Sequence, residues 1–178
     1  YTSAARNKVS RVTMNNPAKL NGWTLAMLHR MFAVFDDLAR DADTKVIVNM
    51  TLNCSCVVQV VVLTGTDPYY SAGANLSENI KPMHPRQLHA MIAEGNERIF
   101  NLFLDFPKPI LVASNGPAIG ATVTSAALCD GILASERATY LTPFTRLAVC
   151  PEGCAREDCA LIYSVFDTNH DTFYHCIF

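Results

Sequence analysis

The chain has 178 residues, of which 50% are hydrophobic and 17% are charged, and its formal net charge is −2. This composition indicates a folded protein with a sizeable core and excludes an intrinsically disordered chain. The balanced charge offers no basic field for nucleic acid or for an anionic membrane surface, and no apolar run has the length needed to cross a bilayer. The seven cysteines show neither a CxxC pair nor zinc-ligand spacing, which favours reduced thiols in an intracellular compartment and no resident metal.

The first part of the chain predicts a strand, a loop and an amphipathic helix. Residues 8–14 alternate as a strand does, residues 15–22 form the loop, and Thr24 is a suitable N-cap for a helix over 25–39. Trp23 is expected to anchor the start of this helix. Apolar residues recur at helical spacing and predict its buried face, made of Leu25, Leu28, Met31, Phe32, Phe35 and Leu38.

The rest of the chain alternates predicted strands and helices. A valine-rich run that ends at Gly65 reads as a buried strand, residues 76–85 as a loop, and residues 86–104 as a helix. The buried face predicted for that helix consists of Leu88, Met91, Ile92, Ile99, Phe100 and Phe103. Strands over 110–114, 130–135 and 138–141 accompany a small-residue helix over 118–128, and Lys108 is expected to face solvent. This alternation implies an α/β layered fold.

Two strand–turn units carry the candidate chemistry. The strand that ends at Gly65 leads into Tyr70-Ser71-Ala72-Gly73-Ala74-Asn75-Leu76, and the strand over 110–114 leads through Asn115-Gly116-Pro117 into a helix that starts near Gly120. Small residues there let another molecule approach the backbone N–H groups closely. Two N–H donors aimed at one oxygen would stabilise an enolate or a tetrahedral oxyanion. The alternative is a buried helix that packs through its small residues.

These segments, together with Pro107-Lys108-Pro109, Pro143-Phe144 and Pro151-Glu152-Gly153, resemble the crotonase (enoyl-CoA hydratase/isomerase) superfamily. Within it they are most similar to the peroxisomal-type 3,2-enoyl-CoA isomerases. The resemblance implies an α/β fold with a crotonase-like β-β-α spiral core whose C-terminal helical part is missing or divergent. We therefore predict a crotonase-like domain over 1–155 and an unrecognised C-terminal tail over 156–178.

One interruption departs from the family pattern. In the resembled family the strand over 45–48 would run directly into Leu63-Thr64-Gly65, whereas this chain has two similar runs, KVIV and QVVV, of which only one can fill that place. We interpret residues 49–62 as an insertion. The alternative is an extra β-hairpin at the edge of the sheet.

The resemblance also implies the residues of an active site. Glu152 matches the carboxylate that moves a proton between C2 and C4 of the substrate, and the backbone N–H groups of Ala74 and Ala121 match the donors to the thioester oxygen. Lys19 is either a contact for a CoA phosphate or a solvated surface lysine. The substrate-binding positions that the resemblance implies are Lys19, Leu20, Ala72, Gly73, Asn75, Leu76, Gly120, Thr124 and Phe144.

The implied activity is the 3,2-isomerisation of an enoyl-CoA in β-oxidation. Thr124 stands where hydratases of the family carry a second Glu, and a single carboxylate suits a proton shuttle better than the addition of water. The resemblance implies an acyl-CoA substrate that brings its own CoA, no other cofactor, and a homotrimer or hexamer in the peroxisome or mitochondrial matrix. The alternatives are an enoyl-CoA hydratase and a non-catalytic acyl-CoA-binding module of the corepressor type.

Overall fold

The computed structural model describes residues 4–6, 9–41, 46–50, 54–58, 60–79 and 81–153. The tail predicted over 156–178 therefore lies outside the described residues. The strands are β1 (Ala4–Arg6), β2 (Val9–Met14), β3 (Val46–Met50), β4 (Cys54–Val58), β5 (Val60–Gly65), β6 (Ile110–Ser114), β7 (Ala118–Ile119), β8 (Gly131–Ala134) and β9 (Tyr140–Leu141). The helices are α1 (Leu25–Arg40), α2 (Leu76–Asn79), α3 (Pro85–Leu104), α4 (Ala121–Ala127) and α5 (Phe144–Leu147).

The largest sheet has five strands in the order β1-β2-β5-β6-β8. Strand β1 pairs antiparallel with β2, and the other neighbours are parallel, with Val12 opposite Leu63 and Leu63 opposite Val112. These three side chains are fully buried, because parallel strands crossed by helices bury their apolar residues against the covering layer. The predicted α/β arrangement is confirmed.

The two valine-rich runs have different partners. The second run forms β5 and pairs with β2 and β6 in the main sheet, whereas the first forms β3 and pairs antiparallel with β4, from Val46 opposite Val58 to Met50 opposite Cys54. The β3–β4 hairpin is a separate two-stranded sheet and does not extend the edge of the main one. The second run, which ends at Gly65, therefore occupies the position between β2 and β6, and it leads directly into the turn that contains Gly73.

Helix α1 begins as predicted, because the Thr24 side chain accepts a hydrogen bond from the Met27 backbone N–H at 3.1 Å. Its buried residues are Met27, Leu28, Met31, Phe35 and Leu38. The prediction that Leu25 is buried is wrong, since its side chain is 52% exposed. At 100° per residue, Leu25 lies about 110° from the centre of the buried arc, whereas Met27, which the prediction left out, lies at the opposite edge of that arc and is buried.

Helix α3 is buried only near its C-terminal end. Phe100 and Phe103 are buried as predicted, whereas Met91 and Ile92 are 39% and 40% exposed, which corrects the prediction for these two residues. Phe103 stacks on Trp23 with ring centroids 6.5 Å apart, so the end of α3 packs where α1 begins. The N-terminal half of α3 meets no comparable layer among the described residues, so its apolar spacing produces no burial there.

Three local predictions are corrected by contacts between distant segments. Residues 76–79, predicted as loop, form the one-turn helix α2, and the helix predicted over 118–128 spans only Ala121–Ala127. The residues before it form β7, because Ala118 N–H donates to Thr139 O and Gly120 N–H donates to Leu141 O, both at 2.8 Å. The Lys108 side chain, predicted to face solvent, is half-buried, and its ammonium donates to the backbone oxygens of Leu38 and Asp41 where α1 ends.

Among the described residues, no helix has both the length and the apolar character needed to cross a membrane.

Candidate active site

The first candidate N–H donor belongs to Ala74, in the turn that follows β5. The turn is fixed by the segment before α1, because Trp23 N–H donates to Gly73 O at 2.7 Å and Asn75 N–H donates to Trp23 O at 3.1 Å. A trans peptide points its N–H opposite to its C=O, so the Ala74 N–H is directed away from Trp23. It has no hydrogen-bond partner among the described residues.

The second candidate donor belongs to Ala121, the first residue of α4. Its N–H has no acceptor in the described part of the chain, as expected for the first turn of a helix. Gly120 precedes it with φ +63° and ψ −129°, a conformation that side chains other than glycine's rarely permit. At Gly120 the chain turns sharply, so that it ends its pairing with β9 and begins α4.

The structure brings these two segments into direct contact. A Cβ atom on Gly73, whose φ is +79°, would lie 2.3 Å from Ile119 O and 3.7 Å from Ala121 N. In addition, Ile119 N–H donates to Ser71 O at 3.0 Å, so the two turns are hydrogen-bonded to each other. Only glycine at position 73 permits this approach, and the approach places the Ala74 and Ala121 amides on adjoining backbone.

The candidate base, Glu152, is held by α3. Its half-buried carboxylate accepts a hydrogen bond at Oε2 from Asn96 Nδ2 at 2.5 Å, which leaves Oε1 without a partner among the described residues. Burial raises the pKa of Glu152, and the hydrogen bond from Asn96 opposes that rise. Gly153 follows with φ +59° and lies so close to the Phe100 ring that a Cβ there would be 2.4 Å from its Cε1. Asn96 and Phe100 are one helical turn apart, so one face of α3 fixes the Glu152–Gly153 turn.

The remaining predicted positions differ in exposure. Lys19 forms an ion pair with Glu78 of α2, and both side chains are partly exposed. The Leu20 carbonyl accepts from Ala72 N–H at 2.9 Å, while the side chains of Leu20 and Leu76 are exposed. Phe144 is buried at the start of α5. Thr124 is buried, and its hydroxyl donates back to Ala121 O at 3.1 Å.

Three side chains that contact this site were not anticipated from the sequence. Asn96 holds Glu152 across 56 positions of the chain, and no local pattern marks a mid-helix asparagine for that role. Asn21 and Ser71 are fully buried polar residues beside Gly73. In the sequence, Asn21 and Ser71 are marked only as small polar residues in loops that flank apolar strands, and such residues are too common to predict a site. The described residues contain no cluster of three or more His, Cys, Asp or Glu that could hold a metal ion.

Two backbone N–H donors and a partly desolvated carboxylate are the groups needed to remove a proton from the carbon next to a carbonyl group. In such chemistry, backbone N–H donors stabilise the developing oxyanion and a carboxylate accepts the proton. These are properties of the class of enzymes that work through an enolate.

The comparisons with known proteins agree with this class. The family description enoyl-CoA hydratase/isomerase matches residues 4–160. The peroxisomal enoyl-CoA delta isomerase 3 of Mus musculus is 33% identical over 150 residues, which are 83% of this chain and 42% of that protein. The chromodomain Y-like protein of Homo sapiens is 44% identical over 64 residues, which are 36% of this chain and 11% of that protein. A crystal structure of enoyl-CoA hydratase from Bacillus anthracis matches with a TM-score of 0.73 and 22% identity, over 93% of this chain and 58% of that chain.

The chain belongs to the enoyl-CoA hydratase/isomerase family and has the crotonase fold predicted from its motifs. It spans about half, or less, of the length of the curated relatives that it matches.

Proposed function

We propose that the chain is a 3,2-enoyl-CoA isomerase, which moves the double bond of an unsaturated fatty acyl-CoA from C3–C4 to C2–C3. The observation that carries the proposal is a pair of N–H groups, those of Ala74 and Ala121, that have no acceptor among the described residues and lie on turns that touch at Gly73. Both N–H groups donate to the thioester oxygen as it becomes an enolate oxygen. One such donor is typically worth about 100- to 1000-fold in rate.

Glu152 moves the proton in this proposal. Its carboxylate takes the proton from C2, and the electrons of that C–H bond form the enolate. The carbonyl bond then re-forms, and the electrons of the enolate double bond move to form the double bond between C2 and C3. The electrons of the former C3–C4 double bond take the proton that the same carboxyl group delivers to C4. Partial burial supports this role because it raises the pKa of Glu152 and so makes its carboxylate a stronger base. Oε1, which has no partner in the described part of the chain, is available for the transfer while Asn96 holds Oε2.

Thr124 supports isomerisation over hydration. Its hydroxyl is already bonded to the carbonyl oxygen of Ala121 in the same helix, and it provides no second carboxylate to activate water. A single carboxylate can transfer a proton between two carbons of one substrate, whereas water addition in this family uses two. The alternative activity, enoyl-CoA hydratase, is therefore the less favoured of the two.

The remaining parts of the proposal concern the location, the CoA contact and the assembly. The mouse relative's name places it in the peroxisome, which supports a peroxisomal or mitochondrial matrix location and a role in fatty-acid β-oxidation. CoA enters as part of the substrate, and Lys19 offers a cation for one of its phosphates once it leaves Glu78. We include a homotrimer or hexamer as the expected assembly.

The test is the conversion of a 3-enoyl-CoA to its 2-enoyl isomer by the wild type and by Glu152→Gln. We expect turnover in the wild type and a loss of at least about 1000-fold in the variant, because the amide cannot accept the proton. Glu97→Gln is the matched control, since Glu97 is an exposed carboxylate on α3 and should leave the rate unchanged. Equal rates for wild type and Glu152→Gln would contradict the assignment of the base.

A non-catalytic acyl-CoA-binding module is the second candidate, and the similarity to the chromodomain Y-like protein favours it. The same preparation separates the two functions. Protein that binds CoA, seen as a raised thermal midpoint, but turns over neither the 3-enoyl-CoA nor the 2-enoyl-CoA would support the module.

A further inference from the structure

Ser71 connects the two turns that carry the candidate N–H donors. It is fully buried between them. Its carbonyl oxygen accepts a hydrogen bond from Ile119 N–H at 3.0 Å, two residues before Ala121. The Thr122 hydroxyl lies 3.3 Å from the same oxygen, although its shorter hydrogen bond, at 2.9 Å, is to Ile119 O. Its hydroxyl accepts from Gly73 N–H at 3.2 Å, next to Ala74. One residue is therefore bonded to both turns.

The Ser71 hydroxyl is itself fixed in direction, because it also donates to Asn21 O at 2.8 Å. A hydroxyl has a single proton, so donation to Asn21 leaves its lone pairs for the Gly73 N–H. Gly73 is then held at both ends of its backbone, by Ser71 at its N–H and by Trp23 at its carbonyl. These two bonds fix the peptide that ends in the Ala74 N–H.

Asn21 provides a rigid acceptor for this hydroxyl. It is fully buried and has a left-handed φ of +55°, a region in which Asn is among the few tolerated residues besides glycine. Its side chain donates to Thr66 O at 2.7 Å and to Tyr69 O at 2.8 Å, and accepts from Asn16 N–H at 2.8 Å. With every polar atom of the amide bonded, the Asn21 carbonyl has little freedom to move.

We propose that Ser71, anchored by Asn21, is a positioning residue that sets the spacing and direction of the Ala74 and Ala121 N–H groups. The inference rests on the proposed function, because it assumes that these amides bind a thioester oxygen. Ser71 does not touch the substrate; it acts through Gly73 and Ile119. Loss of its hydroxyl frees the Gly73 N–H and lets the Ala74 peptide turn away from the oxygen.

The test compares Ser71→Ala with the wild type in the full chain. Misalignment of one donor predicts a fall in kcat of about 10- to 100-fold with KM changed by less than about twofold, because the donor matters most in the transition state. The second readout is the infrared carbonyl band of bound butanoyl-CoA labelled with ¹³C at C1. The wild type should shift this band to lower wavenumber than in free ligand, and Ser71→Ala should return it towards the free position.

Ser114→Ala is the matched control. Ser114 is also buried, and its hydroxyl donates to a backbone oxygen, that of Gly116, at 3.2 Å, but among the described residues it has no hydrogen bond to Gly73 or to residues 119–122 around the Ala121 amide. It should lower stability without changing kcat or the carbonyl band. If Ser71→Ala does not fold, Ser71→Cys is measured by the same two readouts, since a thiol is a weaker donor and acceptor and predicts an intermediate loss.

The outcomes separate this inference from the proposed function. A wild type with turnover, and a Ser71 variant with unchanged kcat and band, would overturn the positioning role and leave the isomerase intact. A wild type that shifts the band without turnover, and a variant that loses the shift, would support the positioning role and reject the isomerase. A wild type that does not shift the band would overturn the inference outright.

Discussion

Gly73→Ala tests the contact on which the candidate site depends. The added Cβ would meet Ile119 O at 2.3 Å, and because this atom is backbone it cannot rotate aside. Restoring an ordinary separation requires the two turns to part by about 1 Å. A displacement of about 1 Å at a reacting centre can cost about 100-fold in rate, and we expect kcat to fall by about that factor.

Two other glycines allow the backbone strain and the overpacking caused by Gly73→Ala to be separated. Gly120 has φ +63° but nothing within 4 Å of its added Cβ, and Gly95 lies in α3 with open space and no unusual φ. Gly95→Ala should stabilise by about 0.5–1 kcal/mol because it reduces the freedom of the unfolded chain. Gly120→Ala should destabilise by about 1–3 kcal/mol from backbone strain alone. Gly73→Ala adds overpacking of about 1–3 kcal/mol to a φ cost of about 1–2 kcal/mol, so it should be the most destabilising of the three.

Urea denaturation of the three variants and the wild type, with kcat measured on the folded fraction, provides the comparison. The reasoning fails if Gly73→Ala is folded and retains kcat within about threefold of the wild type. It also fails if Gly73→Ala is no less stable than Gly120→Ala, because the contact with Ile119 would then cost nothing.

Two further predictions concern side chains that hold the site and its support. Burial raises the pKa of Glu152 while the hydrogen bond from Asn96 lowers it, so Asn96→Leu should raise this pKa and move the acid limb of the kcat/KM profile to higher pH. Asn101→Leu, an exposed change on the same helix, should leave the limb in place; a limb that moves equally in both variants would contradict the role of the hydrogen bond. Lys108→Met removes an ammonium that donates to two backbone oxygens at the end of α1, and it should lower the free energy of unfolding by about 1–2 kcal/mol, measured by urea, with kcat unchanged. The same loss in Lys81→Met, where the lysine is exposed, would show that charge rather than these bonds is responsible.

The features that the sequence predicts correctly are those set by neighbouring residues. Thr24 caps α1 because its hydroxyl reaches an N–H three residues away. The run that ends at Gly65 is a strand because most of its residues are β-branched, which favours extended backbone. The glycines at 73 and 120 were likewise expected to permit close approach. Both have positive φ, which few other residues tolerate.

The features that the sequence does not reveal depend on distant partners. Helical spacing identifies an apolar face at Met91 and Ile92, but whether that face is covered is decided by other elements. Ala118 reads as helical because it is small, yet its N–H pairs with Thr139 and makes it a strand. Tertiary hydrogen bonds override a weak local preference in such cases, and a single sequence does not contain them as a pattern.

The candidate base and the candidate amides are linked through one helix, which explains why they were the hardest features to connect from sequence. Helix α3 holds the Glu152–Gly153 turn through Asn96 and Phe100, and seven residues beyond Asn96 its Phe103 stacks on Trp23. The Trp23 backbone in turn holds the turn around Ala74, because its N–H donates to Gly73 O and its carbonyl accepts from Asn75 N–H. At 1.5 Å per residue, Asn96 and Phe103 are about 10 Å apart along the axis, so α3 acts as a spacer between base and amides. A shift of α3 along its own axis would therefore change their separation without altering either turn, which makes the packing of Phe103 on Trp23 a determinant of the site although neither ring carries reacting atoms.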